Sequence, residues 1–275
     1  MPALTSPPFA SKRRIVLPFD PARDGFSFAN SFAWTDADLD HLARWLRPLS
    51  VAALAALGGA GGRLFGKAPA SAVATGALAA AGGGDALVHR IARRWRTFGL
   101  CGGMALAAIE RFESGSPVPT SALQKDAMRS LLRRRQAETL RHSLPRFVRE
   151  WTVARWDGTE HPPLGARLGA EVERATRRLE SGRPVILGLV GDSPDPFANH
   201  QVVAFGVERG EHPAETTFFV YDPNAPGVTR HIRTALVPGT QRTAISTDLP
   251  TGRRANGRCH LSTRPGWLAS VFVVM

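Results

Sequence analysis

Near Arg183 the spacing of apolar positions changes from a helical period to a strand period. Upstream, Leu39, Leu42, Ala43 and Leu46 recur on one helical face. Thr35 stands as the N-cap, Asp36, Asp38 and Asp40 complement the dipole, and Pro48 stops the pattern. Further helical stretches are predicted over 85–98, from 101 to about 112, and over 121–143, the last closed by Pro145. Leu168, Val172, Ala175 and Leu179 form one apolar stripe of a helix over 166–179, which Ser181-Gly182 closes. Downstream, 184–190, 201–207 and 216–221 are short apolar runs bounded by turn residues. Weaker strands are expected at 228–233 and 258–262, and a final one at 268–274. Helices first and antiparallel strands after them predict an α+β fold.

Two segments stand outside this pattern. Residues 1–35 are rich in proline and carry alternating aromatics (Phe26, Phe28, Phe32), as expected of an extended arm pinned by its rings. Between Val51 and Gly84, 22 of 34 residues are Ala or Gly, so the stretch buries little area per residue and is expected to be a loosely helical, flexible insertion. With these two additions, 1–275 is expected to form a single domain.

Composition narrows the class. A chain of 275 residues, 43% hydrophobic and 21% charged, is an ordinary globular protein. Its longest uncharged stretch, 68–84, is too short, too rich in Ala and Gly and interrupted by Pro69, so no membrane span is expected. The apolar run after Lys12-Arg13-Arg14 is only Ile15-Val16-Leu17, which does not make a signal peptide. A soluble, cytoplasmic protein is the default expectation, with export by a partner system left open. The net charge of +12 comes from 32 Arg against three Lys. With only Cys101 and Cys259 there is neither a disulfide framework nor a zinc-ligand cluster, so no metal and no cofactor is expected.

Chemistry concentrates in three places. In Gly99-Leu100-Cys101-Gly102-Gly103-Met104, the apolar residues Met104, Ala105, Ala108 and Phe112 follow the cysteine at helical spacing. The thiol therefore falls near a helix N-terminus, where unpaired N–H groups favour a thiolate. Gly102 and Gly103 weaken the helix, which suits a substrate carbonyl approaching the backbone; a buried structural cysteine on a small-residue packing face explains them equally well. In the strand half, His200 opens one apolar run and Asp222 ends the next. A hairpin centred on residue 211 sets these two opposite each other at its open end, where the carboxylate would orient the imidazole. Cys101, His200 and Asp222 then make a nucleophile, a base and an orienting group. The plainer alternative is a core histidine and a turn aspartate before Pro223.

That order, cysteine at a helix start, histidine at a strand start and aspartate at the end of the next strand, resembles papain-like cysteine peptidases. Gly-Leu-Cys101-Gly-Gly-Met, Asn-His200-Gln-Val-Val-Ala-Phe-Gly and Val-Tyr-Asp222-Pro-Asn are most similar to the bacterial branch that processes bacteriocin leaders. The resemblance spans about 96–225. It implies a papain-like fold, with a helical half carrying the nucleophile packed on an antiparallel sheet. It also implies a cysteine peptidase or amidase working through a thioester, with a peptide or other acyl compound as substrate. Such enzymes place a Gln shortly before the cysteine to bind the oxyanion, and 92–98 contains neither Gln nor Asn. The Cys101 N–H supplies one donor, and Asn30 is the candidate for the second, beside Gly102 and Gly103 as substrate-binding positions.

Two other functions fit the same residues. A transglutaminase-like acyltransferase shares the Cys, His, Asp order. A non-catalytic binding module would use the basic stretch 125–155, which holds nine Lys and Arg against three acidic residues. Nucleic acid is the less favoured partner, because Arg133-Arg134-Arg135 points in three directions around a helix.

Overall fold

The computed structural model describes residues 13–40, 97–117, 124–156, 165–191, 199–212, 215–236, 243–249, 267–268 and 270–275. The expected insertion over 51–84, the polar linker 157–164, the strand expected at 258–262 and Cys259 all lie outside these residues. Contacts divide the chain into two compact units, one of residues 1–30 and 100–275, the other of residues 31–99.

The smaller unit is described at its two ends. Phe32–Ala33 (β2) pairs antiparallel with Thr97–Phe98 (β3). The Phe98 ring stacks on Trp34 with centroids 4.4 Å apart and tilts against Phe32 at 5.8 Å. Thr97 and Phe98, expected to end a helix over 85–98, are therefore strand; a β-branched and an aromatic side chain before Gly99 suit pairing better than a helical last turn. A helical turn at 36–40 starts as the capping pattern predicts. Asp38 Oδ2 accepts from the Thr35 N–H (3.0 Å) and hydroxyl (2.6 Å), while Thr35 Oγ1 accepts from the Asp38 N–H (3.3 Å).

In the larger unit, the helical half comprises Cys101–Glu113 (α1), Gln124–Trp156 (α2) and Gly165–Glu180 (α3). The strand half comprises Val185–Val190 (β4), His200–Arg209 (β5), Thr216–Tyr221 (β6), Thr229–Leu236 (β7), Thr243–Thr247 (β8), Trp267–Leu268 (β9) and Ser270–Val273 (β10). Paired antiparallel in the order β10-β4-β5-β6-β7-β8-β9, these strands form one sheet, to which Arg14–Val16 (β1) adds by pairing with β5. The architecture is α+β.

Both faces of β4 are buried, and its alternate residues serve different neighbours. Val185, Leu187 and Leu189 join the main core with Leu168, Val172, Ala175 and Leu179 of α3. Val190 instead packs with Phe272 and with Phe147 of α2. Helix α3 closes where Ser181-Gly182 predicts: Gly182 takes φ +79°, and the N–H groups of Gly182 and Arg183 return to the carbonyls of Leu179 and Arg178.

Pro145 does not end α2, which runs on to Trp156. A helix crosses a proline when packing beyond it exceeds the cost of the lost hydrogen bond, about 3 kcal/mol. Past Pro145, the Phe147 ring meets Phe272 edge-on at 4.8 Å, and the nearly buried Glu150 accepts from the Ser270 hydroxyl at 3.1 Å. These contacts anchor the far half of the helix to β10.

Aromatic side chains upstream of Asn30 are buried against the rest of the larger unit. Phe19, Phe26 and Phe28 are buried. Phe19 stacks on Phe205 at 5.4 Å and tilts against Phe112 and Tyr221, and the Phe26 N–H donates to the Tyr221 hydroxyl at 3.0 Å.

Candidate functional site

Helix α1 is buried along its first nine residues except at Cys101 itself, which is half-exposed. It opens on Leu100 with no side-chain cap and no acidic residue in its first turn. Two of the orphan N–H groups find partners elsewhere in the chain. Asn30 Oδ1 accepts from the Leu100 N–H, and Gln136 Oε1 of α2 accepts from the Gly103 N–H at 3.0 Å.

The two glycines are there for helix packing. A Cβ on Gly103 would stand 2.1 Å from the Leu132 carbonyl oxygen of α2, and one on Gly102 would stand 2.3 Å from Thr139 Oγ1 and 2.6 Å from Gln201 Oε1. The close approach that the sequence suggested for a substrate carbonyl is therefore made by α2 and β5. Both glycines are buried, in keeping with the small-residue packing face that was the other reading of this pair.

His200 and Asp222 are brought together, by a different register from the one expected. Near the turn, residues pair as Glu208↔Thr217 and Val207↔Phe218; beyond it they pair as Ala204↔Val220 and Val203↔Tyr221, with Phe205 as the extra residue of a bulge. Extended along the strands, the second register sets Asn224, not Asp222, level with His200. Asp222 is level with Val202, two residues along on the same face. The first register carried through would set Asp222 level with Val203 and so on the opposite face from His200. The bulge thus restores the parity the site needs, and the arm holds it in place: the Leu17 N–H donates to the Phe205 carbonyl at 2.9 Å, and Phe19 stacks on the Phe205 ring.

His200 Nε2 lies 2.6 Å from Asp222 Oδ1, with the histidine nearly buried and the aspartate fully so. The same carboxylate oxygen accepts the Asn224 N–H at 2.7 Å, an Asx turn across Pro223. With Nε2 committed to Asp222, the other ring nitrogen is the one that serves the hydrogen bond between His200 and Cys101. Burial opposes the Cys101 thiolate, but the charge and hydrogen bond of His200, with the N–H groups of Gln201 and Gly102, outweigh it and hold the thiol below its ordinary range. Burial likewise opposes the imidazolium, yet Asp222 behind it and Cys101 in front push His200 up from 6.5 to about 10.

A raised folded-state value has a stability consequence. The His200 contribution is present in full below pH 6.5 and is lost as pH rises towards about 10. Urea unfolding of the protein and of His200→Gln between pH 6 and pH 10 is expected to show a declining free-energy difference; a constant difference would contradict the paired imidazolium.

Asn30 lies next to this group, as a tether. Besides its bond to Leu100, it donates its own N–H to the Pro223 carbonyl at 2.9 Å and its Nδ2 to Asn224 Oδ1 at 3.3 Å. Its buried side chain is directed at the protein, in place of the oxyanion contact expected of it. Gln136 and Asn224 are the site residues that sequence reasoning passes over. Asn224 carries a usable signal, standing in Asp222-Pro-Asn224 where an Asx turn is expected; a glutamine inside α2 carries none. Among the described residues no cluster of three His, Cys, Asp or Glu is placed to hold a metal ion, and no helix is long and apolar enough to cross a membrane. No protein-family model, curated protein or solved structure matches the chain.

Proposed function

We propose that the chain is a cysteine-dependent hydrolase of papain-like type, acting on an amide or related acyl bond. One observation carries this: the thiol of a part-buried cysteine at a helix start is hydrogen-bonded to a histidine whose other nitrogen is held at 2.6 Å by a buried aspartate. A thiolate and imidazolium formed in this way are a stored nucleophile and acid. Cys101 Sγ attacks the acyl carbon, and the carbonyl electron pair moves onto oxygen, where the first-turn N–H of Cys101 faces no helical partner. As the tetrahedral species collapses, the C–N bond breaks, and the His200 proton passes to the departing nitrogen. Neutral His200 then takes a proton from water as that water attacks the thioester, and the C–S bond breaks to return the thiolate and imidazolium. Asp222 fixes the ring and supports its charge throughout.

The rival based on a basic surface draws less from α2 than the residue count implies. Arg129, Arg135, Arg146 and Arg149 each pair with a carboxylate, and Lys125 sits over the Phe28 ring.

Alkylation by iodoacetamide, followed at Cys101 by mass spectrometry across pH 4–10, tests the assignment. Cys101 is expected to react at full rate at pH 6 and to lose roughly 10²–10³-fold of that rate in His200→Ala, as the thiol returns to or above its ordinary range. Peptide amides that acylate the protein but not Cys101→Ala would then define the substrate. An ordinary thiol profile, unchanged in His200→Ala, would sink the proposal.

A further inference from the structure

The hydrolase assignment leaves one close contact unused. Asn224 Nδ2 stands 3.0 Å from His200 Nε2, the nitrogen already bound to Asp222. The orientation of this amide is set by a chain of partners. The Leu100 N–H has only a hydrogen to offer, so Asn30 presents its oxygen there and its nitrogen to Asn224. Asn224 must therefore turn its oxygen to Asn30, and its nitrogen faces His200. A hydrogen-bond donor is thus held against a ring nitrogen that is itself a donor whenever it binds Asp222.

We propose that Asn224 is a positioning residue which, locked by Asn30 to the start of the nucleophile helix, weakens the grip of Asp222 on the His200 proton. The titratable groups facing His200 are Asp222 behind it and Cys101 in front. Tyr221 lies beside Asp222, and burial keeps its phenol protonated. A buried aspartate on its own would hold the imidazolium so firmly that the proton is given up slowly. An opposed amide dipole on the same nitrogen moderates that hold, and the Asn30 link ties it to the position of Leu100, one residue before the thiol. This extends the hydrolase assignment but does not need the thiol to be read.

The experiment is an NMR titration of His200 in a Cys101→Ala background, where the thiolate no longer contributes. Asn224→Ala is expected to raise the His200 pKa by about one unit, roughly a tenfold change in proton affinity. Asn30→Ala is expected to raise it as well, because the released Asn224 amide turns its oxygen towards the Nε2–H. The double variant should exceed Asn224→Ala by nothing, since Asn30 acts only through Asn224. A role limited to holding the loop in order predicts the opposite sign, a lowered pKa from looser contact with Asp222. An unchanged or lowered value in both single variants overturns the proposal, and if Asn224→Ala does not fold, the Asn30→Ala titration decides alone. Failure of the hydrolase assignment would appear separately, as an ordinary Cys101 alkylation profile in the chain with its thiol intact.

Discussion

One alanine inserted between Val202 and Val203 is expected to abolish the reactive thiolate at Cys101. The insertion lies on the His200 side of the bulge, where β5 pairs with β6 as Val203↔Tyr221 and with β4 as Leu187↔Val202 and Leu189↔His200. Side chains alternate between faces with a period of two, so a single added residue turns His200, Gln201 and Val202 to the opposite face while the rest of β5 keeps its place. His200 then loses Asp222 and Cys101 in one step. Alkylation of Cys101 at pH 6 is expected to fall roughly 10²–10³-fold, as in His200→Ala. Val202 also leaves the main core, at a cost of about 1.5–3 kcal/mol. An alanine inserted between Asn199 and His200 is the control: it lies outside the paired segment and should leave both the thiolate and the stability close to those of the parent. If both insertions behave alike, the parity account of the bulge is wrong.

Gly103→Ala is expected to lower the unfolding free energy by about 2–3 kcal/mol, against an intrinsic helix preference of about 1 kcal/mol in the other direction. The new Cβ would meet the Leu132 carbonyl oxygen at 2.1 Å and its carbon at 2.9 Å. Backbone of a neighbouring helix cannot rotate aside, so α1 and α2 must separate, and the Gly103 N–H bond to Gln136 goes with them. Gly102→Ala meets side-chain atoms of Thr139 and Gln201, which can turn away, and should cost less. Gly169→Ala, exposed on α3 with nothing within 4 Å, should be neutral or stabilising by up to about 1 kcal/mol. Urea denaturation of the three variants checks the ranking; Gly103→Ala as stable as Gly169→Ala would remove the packing account of the glycine pair.

What could be read from the chain was local and periodic. The start of α1 at Cys101, the apolar stripe of α3 with its glycine cap, and strands β4 to β6 follow from spacing and turn residues, and all are found. Hairpin arithmetic brought His200 and Asp222 to the same face, although Asp222 lies level with Val202, two residues along, because the turn centre and the Phe205 bulge both depart from the even hairpin assumed. That bulge was illegible because its cause is remote: it is stacked on Phe19 and bonded to Leu17, far upstream in the arm. The passage of α2 through Pro145 was illegible for a similar reason, depending on Phe272 and Ser270 near the far end of the chain. The glycine pair was correctly singled out as a site of close approach, and of the two readings it allowed, a substrate carbonyl or a small-residue packing face, packing is what surrounds it. Local sequence reports that space is needed and is silent on what fills it.

Asn30 and Leu100 are 70 positions apart and share a hydrogen bond, and just inside them Phe32 and Ala33 pair with Phe98 and Thr97. A segment whose two ends are clasped in this way enters and leaves the rest of the chain at one place, whatever its length. Its interior is free to drift in length and composition, and the Ala- and Gly-dominated run between residues 51 and 84 is the kind of sequence such freedom permits. The clasp bears on the two ends alone, so homologous chains are expected to keep Asn30 and the Leu100-Cys101 pair while replacing, shortening or exchanging what lies between them. The same position is a natural point for grafting a foreign domain into this protein.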